Sequence, residues 1–89
     1  MLGTEYHYSE LFRKIVVLNT GEKLGYLQEI YIEPKTGAVK YLGVLPLDDV
    51  REEILTLFER NRKGLILIQK EDVLSIRDFV IVRNPSRQK

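Results

Sequence analysis

The chain contains no cysteine and no tryptophan, and only one histidine, His7, among 89 residues. Without cysteine there are no disulfides, thiolate metal sites or thiol nucleophiles. A lone histidine near the N-terminus has no partner of catalytic type beside it in sequence. Ser75 and Ser86 lie far from it, Ser9 is two residues away with no third group to complete a triad, and no G-x-S-x-G elbow surrounds any of the three. A large charge excess is also missing. Fourteen basic residues face thirteen acidic ones, for a net charge of +1, whereas surfaces that track phosphates usually carry a basic surplus. Long apolar runs are absent too: Leu65–Ile68 and Phe79–Val82 are each four residues, against the roughly twenty of a membrane-spanning helix. MLGTEYHYSE lacks the basic region and apolar core of a signal peptide. The expectation is a cytoplasmic protein without direct membrane insertion.

What remains is a balanced composition, 44% hydrophobic and 30% charged, enough for one domain with one small core. The expected organisation is an extended lead-in over residues 1–8, one domain over 9–83, and a flexible basic tail over 84–89.

The chain reads as mainly β. Its centre is the stretch from Gly21 to Val44, two strands around a turn that carries Pro34 and Gly37. Ser9 caps a short turn, SELF, and a first strand covers residues 14–18. The second strand spans about 23–33. Its apolar positions change parity between Leu27 and Ile30, which predicts a β-bulge near Gln28-Glu29 and a curled sheet. The third strand, 38–45, is apolar on both sides: Val39, Tyr41 and Leu45 on one, Ala38, Leu42 and Val44 on the other. Such a strand needs cover on both sides, from the core and from a helix or a second subunit.

A helix is predicted over 49–63. Asp49 and Glu52 resemble a capping box; Val50, Ile54, Leu57 and Phe58 form a stripe, with Leu55 beside it; Gly64 supplies the stop. Strands over 65–69, 73–77 and 79–83 complete the pattern.

No constellation carries catalysis. The carboxylates Asp48, Asp49, Glu52 and Glu53 are explained by the dipole of a helix start, and they lack calcium-loop spacing. The glycines at 21, 25, 37, 43 and 64 fit turns and close strand packing rather than a phosphate loop. Tyr26, Tyr31 and Tyr41 would suit base stacking, but in a charge-balanced domain they read better as core or interface residues. The surplus of apolar surface points to self-association.

Gly21-Glu22-Lys23-Leu24-Gly25, followed by YLQEIYIEPKTGAVKYLGV and later by LIQKEDVLSIRDFVIV, resembles the PRC-barrel family. The family is named for the H subunit of the photosynthetic reaction centre. Its members carry a G-x-x-apolar-G entry to a strand and a later V-I-P-x-x-x-V-x-x-I-x-D-x-V-apolar-V segment. The resemblance covers about Ser9 to Val82. Gln69 and Lys70 depart from the family's proline and aromatic, Glu29 from its aspartate, and the predicted helix fills a connection that is short or variable elsewhere.

The resemblance implies a small antiparallel β-barrel of about six strands with one inserted helix, non-enzymatic, without cofactor or metal. Stand-alone archaeal members are similar in size, and some act as dimeric adaptors of FtsZ-based division that bind SepF. The corresponding expectation is a cytoplasmic protein-interaction adaptor, pairing with itself or a paralogue through Tyr41, Leu45, Ile54, Leu55 and Phe58. No small-molecule substrate or nucleic acid is expected. The alternative is an RNA-linked role, as for the ribosome maturation factor RimM, whose C-terminal half is a PRC barrel.

Overall fold

The computed structural model describes residues 13–87. The lead-in over 1–8 and the SELF turn lie outside the described residues.

One seven-stranded sheet makes up the architecture, with strand order β4-β5-β3-β2-β1-β7-β6. In chain order the strands are β1 Ile15–Leu18, β2 Lys23–Ile32, β3 Val39–Pro46, β4 Glu59–Arg60, β5 Ile66–Gln69, β6 Val73–Ile76 and β7 Val80–Val82. Among the described residues the only α-helical element is α1, Glu52–Leu55, between β3 and β4. Neighbours are antiparallel except β1 and β7, which run parallel through Val16–Val80, Val17–Ile81 and Leu18–Val82. The expected barrel is therefore a curled sheet whose outer strands, β4 and β6, do not pair with each other.

Local sequence explains the two long hairpins. Between β1 and β2, Gly21 adopts φ +103°, and its N–H donates to the Leu18 carbonyl at 2.8 Å. Between β2 and β3, Gly37 takes φ +75° and donates to the Glu33 carbonyl at 2.7 Å. Both conformations strain any residue with a Cβ. The bulge expected in β2 is present, because the ladder passes from Leu27–Val44 directly to Glu29–Gly43 and skips Gln28. A bulge adds local twist, and here it lets Leu27 and Ile30 both turn toward the core.

The core lies on the concave side. Val16, Leu18, Leu24, Leu27, Leu42, Val44, Ile66, Ile68, Val80 and Val82 are all nearly or fully buried there. Burying each such side chain contributes roughly 1.5–3 kcal/mol.

The predicted helix over 49–63 is corrected to the single turn Glu52–Leu55. Its N-cap is Arg51, with no side-chain cap bond, so the Asp49–Glu52 capping box does not form. The chain returns to the sheet as β4, and Gly64, at φ +85°, closes the β4–β5 hairpin rather than a helix. The apolar stripe is nonetheless used. Ile54 enters the core, and Val50, Leu55, Leu57 and Phe58 pack against it. Spacing alone does not separate a long amphipathic helix from one helical turn followed by an edge strand.

The tail expected from residue 84 begins inside the domain. Asn84 is 4% exposed; its N–H donates to Asn19 Oδ1 at 3.0 Å and its Nδ2 to Thr20 Oγ1 at 3.2 Å. Ser86 donates to Asn84 Oδ1 through both its N–H and its hydroxyl. The segment after β7 is thereby tied to the β1–β2 turn.

Candidate interaction surface

The convex face of the sheet carries the side chains that alternate with the core set. Tyr26 on β2 stands directly opposite Leu45 on β3 and Ile15 on β1. Tyr26 is 41% and Leu45 44% exposed, and Ile15 is half-buried. Phe79, 48% exposed, stands in the bend immediately before Val80, the residue that pairs with Val16, and so adjoins the β1 end of this row. The result is an apolar row crossing β3, β2 and β1, with Phe79 beside it just ahead of β7. Exposed apolar groups placed side by side are a more informative signal than the same groups scattered singly.

Beside this row sits a polar lock. Tyr31 and Tyr41 are cross-strand partners, with ring centroids 4.5 Å apart and planes inclined by 38°. The Tyr31 hydroxyl donates to Glu29 Oε1 and accepts from Asn61 Nδ2 at 3.1 Å. Lys63 Nζ donates to Glu29 Oε2 at 2.6 Å. Asn61 Oδ1 accepts from the N–H groups of Lys63 and Leu65, which shapes the hairpin that carries Lys63. Gly43 allows this approach, because a Cβ there would meet Leu65, Glu29 and Tyr31 side chains at 3.2–3.3 Å. The β4–β5 hairpin is thus folded over the convex face and buries Leu65 outside the main core.

The lock shows in its ionisation. Lys63, then the Tyr31 hydroxyl, stabilise the charged Glu29 carboxylate and lower its pKa. The same carboxylate raises Tyr31 and Lys63. At the other end of the sheet, the Thr20 hydroxyl and then Arg51, 2.9 Å away, lower Glu22. All these groups are at the surface, where ion pairs contribute little to stability.

The five residues expected to form an interface do not share one surface. Tyr41 and Leu45 lie on the convex face, Tyr41 half-buried against Tyr31 and Leu45 open. Ile54 is 6% exposed within the core, and Leu55 and Phe58 pack against it from the concave side. The helical turn therefore does not cover the convex face of β3. Sequence reasoning left Tyr26 between core and interface and missed Ile15 and Phe79, because the adjacency of these residues comes from strand pairing. Among the described residues, no cluster of three or more His, Asp or Glu is placed to hold a metal ion, and no helix is long and apolar enough to cross a membrane.

No protein of curated function matches the sequence. The family model of the PRC-barrel domain matches residues 3–89. With its curled β-sheet, G-x-x-apolar-G entry and core contributed by the matched segments, the chain belongs to the PRC-barrel family.

Proposed function

We propose that this chain is a non-enzymatic protein-interaction adaptor that dimerises through the convex face of its sheet. The observation that carries the reading is the uncovered row of Leu45, Tyr26, Ile15 and Phe79. A second copy laid across that row would bury large apolar side chains at the centre of a self-complementary contact, as a two-fold dimer requires. Tyr41 flanks the patch. Ile54 is part of the core and stands outside the proposed interface, as do Leu55 and Phe58 behind the sheet.

The finer proposal is that the dimer links components of an archaeal FtsZ–SepF division machinery in the cytoplasm. Its support is the resemblance to stand-alone archaeal PRC-barrel adaptors. The family is generally non-catalytic, which agrees with a surface built for contact. The test is the solution mass by light scattering, alone and with SepF from the same organism. A dimer whose mass rises on addition of SepF is the expected result. A strict monomer rejects the dimer, and a dimer indifferent to SepF rejects the division role alone.

A second reading, an RNA-linked role, is favoured by one observation. The tyrosine pair stands next to the hairpin bearing Arg60, Arg62 and Lys63. Glu29, however, pairs with Lys63 in that place, which weakens it as a phosphate contact. RNA retention that falls steeply with salt is the outcome this reading requires.

A further inference from the structure

Between α1 and β4 the chain runs outside the sheet and leaves a gap beside β5. Leu57 and Phe58 donate their N–H groups back to the carbonyls of Ile54 and Leu55, at 3.0 and 3.3 Å, and so follow the helical turn. β4 then ladders β5 only at Ile66 and Leu67. Ile68 and Gln69 pair with Leu42 and Tyr41 on the opposite side. On this side no strand flanks them among the described residues.

The direction of the backbone groups follows from alternation along the strand. The Leu65 carbonyl accepts from the Asn61 N–H at 3.0 Å, so residues 65, 67 and 69 turn their peptide groups toward the side of β4. β4 has ended by residue 69. The Gln69 N–H therefore points into the gap, a groove of about 260 Å³ lined by Leu57, Phe58 and Pro85 and by the acidic residues Glu59 and Asp72. No lysine or arginine lines it. Asp72 has Arg83 at 3.5 Å, whereas Glu59 makes no ion pair among the described residues. The volume lies below the roughly 300–1,000 Å³ of small-molecule sites and suits one anchoring side chain with its flanking backbone.

We propose that this groove receives a short, extended, basic segment of a partner protein. One backbone carbonyl of the segment accepts from the Gln69 N–H, an apolar side chain packs on Leu57 and Phe58, and flanking Lys or Arg residues face Glu59 and Asp72. This is strand addition to a half-open edge, with main-chain bonding for affinity and a pocket for selection. It shares the adaptor role with the proposed function, but the dimer face lies on the convex side, so either can fail alone.

The experiment titrates the full ¹⁵N-labelled chain with acetyl-Lys-Val-Lys-Leu-Lys-Val-Lys-amide, and with the same peptide carrying Glu at every Lys. Shifts centred on the amides of Gln69, Phe58 and Glu59 are expected, with the acidic peptide at least about tenfold weaker. Gln69 already has φ −67°, the value proline imposes. Gln69→Pro removes the donor without bending the strand and is expected to weaken binding about three- to tenfold. Gln69→Ala, which keeps the N–H, binds as the unaltered chain does. If Gln69→Pro does not fold, Glu59→Lys at an exposed position carries the test, with a loss of similar size expected.

An unmoved Gln69 amide, equal binding of the acidic peptide, or full affinity in a folded Gln69→Pro variant overturns the proposal. So does a Gln69 shift that follows protein concentration without peptide, which would place a second copy in the groove. A comparable shift on deleting residues 87–89 would place the chain's own basic end there, with the same consequence.

Discussion

Gly25 lies so close to Leu45 that a Cβ at Gly25 would sit 2.0 Å from the Leu45 carbonyl oxygen. The obstruction is backbone, so rotating a side chain cannot relieve it. Gly25→Ala is expected to cost about 3 kcal/mol, at the upper end of overpacking effects, read as a lower urea midpoint. Gly21 is a contrast within the same motif. A Cβ there meets nothing within 4 Å, and only its φ of +103° is strained. Gly21→Ala should cost about 1–2 kcal/mol.

Exposed Leu45 and buried Ile54 separate the interface from the core. Leu45→Glu should leave the circular dichroism spectrum unchanged while halving the mass seen by light scattering. Ile54→Ala should retain the dimer at low temperature but lose about 2–4 kcal/mol of stability. A Leu45→Glu variant that stays dimeric removes the convex row from the interface.

Stability should fall at both ends of the pH range. Glu22 and Glu29 have lowered pKa values in the fold. Their contribution is present above the unfolded value of about 4 and is lost as pH falls through the lowered folded values. Tyr31 and Lys63 are raised. Theirs is complete below about pH 10 and is lost as pH rises through the folded values. Glu29→Gln should flatten part of both limbs in melts taken across pH, because Glu29 carries one of these four shifts and causes two others. Unchanged limbs would show the lock to be energetically silent.

Tyr31→Phe removes a hydroxyl that bonds both Glu29 and Asn61. The expected loss is about 1 kcal/mol, with faster amide exchange confined to the β4–β5 hairpin.

Asn84 donates and accepts four hydrogen bonds among Asn19, Thr20 and Ser86 while nearly buried. Asn84→Ala leaves some of those groups unpaired and should destabilise by about 2 kcal/mol, measured by urea unfolding. A loss near zero would mean that water replaces the amide.

The β2–β3 hairpin was legible from residue order, since Pro34 and Gly37 specify a turn and the parity break after Leu27 requires a bulge. The stretch 49–63 was misread for a physical reason. Ile54, Leu57 and Phe58 satisfy helical spacing over one turn, and only the pairing of Glu59 and Arg60 with β5 decides that the chain then extends. Asn84 gave no sign of burial, because its partners lie 64 and 65 residues away.

By itself, the sequence determined a small β-rich domain, its main turns and its likeness to the PRC-barrel family, all of which rest on local conformational preference and the order of apolar and turn residues. Tertiary structure decided which apolar residues remain outside, that Leu45, Tyr26 and Ile15 form one row, and that β5 keeps a half-open edge at Gln69. Those properties depend on register and on where neighbouring strands stop, and both are set by pairing between segments distant in the chain.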